Sequence, residues 1–284
     1  MTPHAPSRGR ALSFGAATAR ILELTLGQML WSRRSVFLGL ATGGPVALAL
    51  MIRAILQWTP AGGLQVNGAR PSGAALYGLI IWLLYIRFIV PVLGVFYGTA
   101  LIADEVDDKT ITYLFTRPVP RATVLAGKYA AYLVCTLLLV LPSVVLDFFI
   151  LVPAGGQGGI GANFPDLVKD LGMLAIGLAA YGAVFAVVGA RLKRPLVAGL
   201  VFAFGWEPGV LIFPGYVKRL TVAYYLQALV PHAMPSESAV SALLQLFTDV
   251  PTVGASLVTL AVITAGALWL AGRTVERREY VLEQ

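Results

Sequence analysis

Long apolar runs recur along the chain, separated by short polar segments. Runs of about 20 apolar residues predict membrane-spanning helices. Six occur, at about 36–58, 76–103, 122–152, 167–190, 195–213 and 253–271. The segment from Phe14 to Arg34 has a different pattern. Leu22, Leu26, Met29 and Leu30 form one apolar stripe, with Arg20 and Glu23 off it. That spacing predicts an amphipathic elbow helix along the inner membrane surface, anchored at the interface by Trp31. Residues 1–13, with Pro3, Pro6 and Gly9, are expected to be a disordered cytoplasmic tail. No cleavable signal pattern is evident there. Residues 14–272 read as a single transmembrane domain and 273–284 as a charged cytoplasmic tail.

Small residues and prolines mark where these spans pack or bend. The first contains Gly39-x-x-x-Gly43, Gly44 and Pro45, the second Gly94-x-x-x-Gly98, and the fourth a seam of Gly182, Ala186 and Ala190. Such seams let helices approach closely in a bilayer. Pro142 predicts a bend in the third span, and Trp206-Glu207-Pro208-Gly209 a break in the fifth. Arg191-Leu192-Lys193-Arg194 is a tight basic turn between the fourth and fifth. From Pro214 to Pro251 the chain makes an excursion at the outer side. In it Tyr224, Tyr225, Leu226, Leu229 and Val230 form an aromatic and apolar patch, ended by Pro231, that lies at the interface or dips into it.

One polar insert, Ala103 to Lys128, separates the second and third spans. Asp107 and Asp108 suit the start of a short helix, by capping free amides and meeting the positive end of its dipole. Ile111, Leu114 and Phe115 share one face of it. Pro118 forces Arg117 out of helical geometry and ends it, and Pro120 and Arg121 open the next span. The order of features is Glu105, Lys109-Thr110-Ile111, Arg117-Pro118-Val119-Pro120-Arg121 and Gly127-Lys128. It closely resembles the cytoplasmic loop of the ABC-2 family of ABC exporter permeases. Lys109 stands where that family usually has Gly, and Pro120 replaces a small hydroxyl residue. The resemblance implies an all-α, polytopic membrane protein with six transmembrane helices, an N-terminal elbow and a short cytoplasmic coupling helix. It assigns ATPase coupling to Glu105, Asp108, Thr110, Ile111, Leu114, Phe115, Arg117, Pro118 and Arg121. It also implies a separate ABC ATPase partner and a second permease subunit, in a homo- or heterodimer. ATP and Mg would be bound by that ATPase, with no cofactor in this chain.

Composition agrees with a membrane class. The 284 residues are 58% hydrophobic and 12% charged, against about 25% charged in soluble domains. The net charge of +7 comes from basic residues at span ends, so it is no nucleic-acid signature. Of the 21 Lys and Arg, fifteen fall in the proposed inner segments. Four, Arg70, Lys169, Lys218 and Arg219, fall in outer ones, and Arg53 and Arg87 lie within spans. That bias places both termini in the cytoplasm of a multi-pass cell-membrane protein. The single cysteine, Cys135, excludes a disulfide frame. His4 and His232 have no metal-ligand partner at sensible spacing, and no phosphate-binding Gly-x-x-x-x-Gly-Lys-Ser/Thr loop occurs.

Three charges sit inside spans: Arg87, Asp147 and Glu207. At about 1.5 Å per residue they lie roughly 15, 8 and 10 Å from the outer ends of their helices. A lone charge near the bilayer centre costs about 2.5–3.5 kcal/mol, so partners are expected, and Arg87 is expected to pair with Glu207 or Asp147. The pair either lines the substrate path or ties helices together. The leading function is thus a permease subunit of an ATP-driven exporter, not itself an enzyme. The alternative is a membrane magnesium-dependent prenyl or phosphatidyl transferase using the Asp104–Asp108 cluster. Such an enzyme needs a second acidic cluster on the same side, and the only candidate, Asp166-x-x-x-Asp170, falls on the other.

Overall fold

A computed structural model describes residues 14–30, 33–58, 72–107, 121–155, 159–212, 216–231 and 251–277. Among them every regular element is a helix. Helix α1 is Phe14–Leu30 and α2 is Arg33–Trp58. Helix α3 runs over Gly73–Ala103 and continues to Asp107. Helices α4, Arg121–Leu151, and α5, Ile160–Arg191, are single long helices. Helix α6 covers 195–212, α7 is Val222–Gln227 and α8 is Val253–Arg277.

Among the described residues five helices are long and apolar enough to cross a membrane: α2, α3, α4, α5 and α8. The expected fifth span is shorter, because its apolar part is only Pro195–Val210. Beyond it, the turn Tyr216–Leu220 leads into α7. Helix α7 buries Val222, Ala223 and Leu226, and Leu226 lies against Gly177 in the middle of α5. The outer excursion therefore dips into the bundle. Irregular backbone is tolerated at membrane depth where protein covers it, and this segment occupies height that α6 would otherwise fill.

Helix α5 is the hub, packed against α3, α4, α6 and α8. Small residues set how close α3 comes. A β-carbon on Gly94 would lie 2.7 Å from Tyr181 Cβ, and one on Gly98 would lie 3.0 Å from the Gly182 carbonyl oxygen. One on Gly189 would lie 3.0 Å from both Cα and C of Thr99. The glycines of α3 thus meet α5, but along Tyr181, Gly182, Phe185 and Gly189 rather than along the expected Gly182, Ala186, Ala190 seam, and the side of Gly182 that a β-carbon would occupy faces Tyr132 of α4. The Gly39-x-x-x-Gly43 stripe of α2 does not take part, since a β-carbon on either glycine would meet nothing within 4 Å.

Proline shapes α3 and α6 in the same way. The ring clashes with the carbonyl four residues back, and no N–H is available to bond it. In α3, the π-helical stretch Ile81–Ile89 ends with the Val90 amide bonding five residues back to Tyr85, just before Pro91. In α6, the π-helical stretch Phe202–Trp206 ends with the Glu207 amide bonding to Phe202, just before Pro208. The expected break at Glu207–Pro208 is therefore a widened turn inside a continuing helix. Pro142 likewise sits within an uninterrupted α4.

Helix α1 packs on α4. Leu26 and Met29 pack against the core, while Arg20 and Glu23 are exposed, as the stripe predicts. A β-carbon on Gly127 would meet Ile21 Cγ2 at 2.8 Å, so α1 crosses α4 at that glycine. At the opposite end, Arg53 of α2 donates to the Ile150 carbonyl of α4 at 2.8 Å. The apolar surface exposed on α2 and α8, including Leu40, Leu50, Val258 and Val262, suits a lipid environment.

Candidate functional site

The two intramembrane carboxylates bond tyrosines, and Arg87 stacks on a tryptophan. Asp147, on α4, is fully buried. Its Oδ2 accepts the Tyr85 hydroxyl proton at 2.8 Å, and that hydroxyl lies 2.9 Å from Ser143 Oγ. Glu207, at the start of the last turns of α6, is 3% exposed. Its Oε2 accepts from the Tyr181 hydroxyl of α5, and its Oε1 accepts from the Val222 amide at 3.1 Å. Glu207 thereby ties α6 to α5 and to the first residue of α7.

Arg87 is half-buried on α3. Its guanidinium stacks over Trp82, with Cζ 5.0 Å from the ring centroid. Such a stack is worth about 0.5–2 kcal/mol. Its Nε is buried without a hydrogen-bond partner. Glu207 lies within electrostatic reach, but no direct ion pair forms. The expected pairing is corrected accordingly. Both Glu207 oxygens are already taken by Tyr181 and Val222, and Asp147 accepts from Tyr85 on Oδ2 alone, its Oδ1 being buried without a partner. Neutral hydroxyl donors satisfy a buried carboxylate without desolvating a second charge.

Sequence reading missed the tyrosines because Tyr in an apolar run counts as apolar. Tyr129 and Tyr132 of α4 donate to the carbonyls of Ala179 and Leu178 of α5, each at 2.8 Å. The signal available was spacing: Tyr129 and Tyr132 are three apart and share a helix face.

The residues assigned to ATPase coupling divide in two. Glu105 lies in the final helical segment of α3, Ala100–Asp107, and Arg121 is the first residue of α4. Asp108, Thr110, Ile111, Leu114, Phe115, Arg117 and Pro118 lie outside the described residues. Both flanks of the loop are held. Thr99, two turns before Asp107, lies against Gly189 of α5, and Gly127, two turns after Arg121, lies against α1.

For the transferase alternative, two acidic clusters must converge. Asp104 and Glu105 end α3, beyond the contact of Thr99 with the last turn of α5. Asp166 and Asp170 begin α5. At about 1.5 Å per residue, Asp170 is roughly 32 Å from Arg191, so the clusters lie at opposite ends of the bundle. Asp166 pairs with Lys169 at 3.0 Å, and Asp170 is fully buried. Among the described residues no group of three or more His, Cys, Asp or Glu side chains gathers to hold a metal ion.

Five long apolar helices, with a polar network buried among them, define a polytopic membrane protein among the described residues. The comparison with known families agrees: the chain belongs to the ABC-2 family of transporter proteins, whose family model matches residues 14–271. No curated protein matches it. Membership makes the chain the membrane part of an ABC transporter, a family that works with an ABC ATPase.

Proposed function

We propose that this chain is the transmembrane subunit of an ATP-driven exporter, both termini in the cytoplasm, driven through the loop between α3 and α4. Two such subunits, each on one ATPase that binds ATP and Mg, enclose the path. Ile111, Leu114 and Phe115 form the apolar foot that enters a groove of the ATPase. Asp108 and Thr110 start the foot's helix, and Pro118 ends it. Glu105 holds the end of α3 to the loop through Arg117 or Arg121.

The observation that carries this reading is the fixing of both loop flanks. A loop that only connects two spans needs no anchorage. Here α3 is locked to the hub helix at Gly189, and α4 to α1 at Gly127. A displacement of the foot is therefore delivered to α3, α4, α5 and α1 together. The test is co-purification of a tagged permease with the ABC ATPase expressed beside it. Leu114→Asp with Phe115→Asp removes the foot and is expected to abolish recovery of the ATPase while leaving the permease in the membrane. Undiminished recovery rejects the docking claim.

A further inference from the structure

The inner ends of α5 and α8 border an open surface cavity that the transport reading leaves unused. Its volume is about 620 Å³, and it is lined by Arg191, Trp269, Leu270, Arg273, Thr274 and Arg277. Three of the six are arginines and none is acidic. Among the described residues, no carboxylate pairs with any of the three guanidinium groups. Arg191 Nε donates to Thr274 Oγ1 at 3.4 Å, which points this guanidinium across to α8. Arg273 Cζ stands 5.0 Å from the centre of the Trp269 ring. Trp269, Arg273 and Arg277 follow one another at four-residue spacing, so they climb one face of α8.

We propose that this cavity binds the phosphate of an anionic phospholipid of the inner leaflet. The chemistry on its walls is graded along the membrane normal. At its deeper end Trp269 is 60% exposed and Leu270 is 37% exposed, both within the apolar body of α8. At its shallower end stand Arg273, Arg277 and Arg191. Leu270 to Arg277 rises roughly 10 Å at about 1.5 Å per residue. That rise matches the passage from acyl chain to headgroup. Three guanidinium groups without a carboxylate partner among the described residues can hold phosphate oxygens, and an interfacial Trp beside them is the expected wall for a glycerol backbone and the first methylenes.

The phosphate chemistry alone fits a soluble phosphoester as well. The apolar deeper wall favours the lipid, because a free phosphate leaves Trp269 and Leu270 without a partner. Exposed arginines at this height also gain from the negative potential of the inner leaflet. The inference rests on the orientation proposed above and not on ATPase coupling.

The test uses the full-length chain without any ATPase, so a failure of coupling leaves it interpretable. Protein in nanodiscs of equal phosphatidylcholine and phosphatidylglycerol is extracted gently, and retained lipid is identified by native mass spectrometry. Wild type is expected to retain phosphatidylglycerol in preference to phosphatidylcholine. Each of Arg191→Gln, Arg273→Gln and Arg277→Gln is expected to lower that preference roughly fivefold, and the triple variant to abolish it. Arg→Lys at all three keeps charge without the forks and is expected to fall between. These side chains are exposed, and recovery of each variant as folded protein is checked by size exclusion. Equal retention of the two lipids by wild type overturns the proposal, as does an unchanged preference in the triple variant. Glycerol 3-phosphate and inorganic phosphate are then added at millimolar concentration. Displacement of the lipid by either assigns the site to a soluble phosphate and overturns the lipid assignment; retention supports it.

Discussion

Alanine in place of Gly189 tests the claim that α3 and α5 are set at contact distance by glycine. Two effects oppose each other. Alanine is favoured over glycine inside a helix by about 0.5–1 kcal/mol. Against this, the added β-carbon would lie 3.0 Å from Thr99 Cα and C and closer still to its carbonyl oxygen. Carbon atoms rest at about 3.5–4.0 Å, so the helices must part by roughly 0.5–1 Å. The atoms that must give way are backbone, which has no rotamer to change. Overpacking of this kind costs about 1–3 kcal/mol. A gap of 0.5–1 Å also forfeits about a quarter to a half of each dispersion contact along the seam that Gly94 and Gly98 share. The steric side wins, with a net destabilisation on the order of 1–2 kcal/mol. Gly172 of the same helix has open space around its Cα, so Gly172→Ala carries the propensity gain alone. Unfolding of the purified protein by sodium dodecyl sulfate in mixed micelles, followed by circular dichroism or Trp fluorescence, gives the order Gly172→Ala, wild type, Gly189→Ala from most to least stable. If Gly189→Ala unfolds with or after wild type, the close crossing of α3 on α5 is wrong.

Two further predictions use the tyrosine network. Tyr132→Phe keeps the ring over Gly182 and deletes only the bond to the Leu178 carbonyl, so it is expected to cost about 0.6–1.7 kcal/mol in the same unfolding assay; a loss above about 3 kcal/mol would mean that ring packing moved too. Exchanging the charges, Arg87→Glu with Glu207→Arg, is expected to be no more active in proteoliposome transport than the worse single variant, because Glu207 answers to Tyr181 and Val222; restored activity would instead show a direct Arg87–Glu207 pair.

How much of this was legible follows from what each signal measures. Hydropathy reports burial from water, so the long spans stood out, and Gly94 and Gly98 of α3 do mark a close approach, while on α5 the approach is made at Gly189, outside the expected Gly182, Ala186, Ala190 seam. Hydropathy cannot tell lipid from protein as the covering. The depth of Leu226 in the bundle and the shortness of α6 were therefore hidden in a segment that reads as interfacial. Pro208 announced a local deviation, but whether the helix breaks or widens depends on which carbonyl the preceding amide can reach, here Phe202. The charges at 87, 147 and 207 were conspicuous and their need for partners was sound. Their partners were misread because a charge was matched with a charge, while the structure matched carboxylates with phenols.

The same network bears on where a push on the loop would be felt. Between Asp107 and Arg87 α3 spans roughly 30 Å at about 1.5 Å per residue. It is pinned along the way at Thr99, Gly98 and Gly94. A pinned helix moves with its neighbour, so α3 and α5 travel together over that length. A π-helical stretch, Gly94–Gly98, lies within this pinned part, and the next, Ile81–Ile89, is tied to α4 by the bond from Tyr85 to Asp147; π-helical turns are the least regular in their bonds. Helix α6 has its own π-helical stretch directly before Glu207. Arg87 thus lies within one π-helical stretch and Glu207 directly follows another, and α7 is tied to Glu207 through the Val222 amide. Arg87 Nε, in the first of these stretches, is the one buried guanidinium nitrogen without a hydrogen-bond partner among the described residues, so a change in the pitch of these turns would alter the surroundings of an unsatisfied charge.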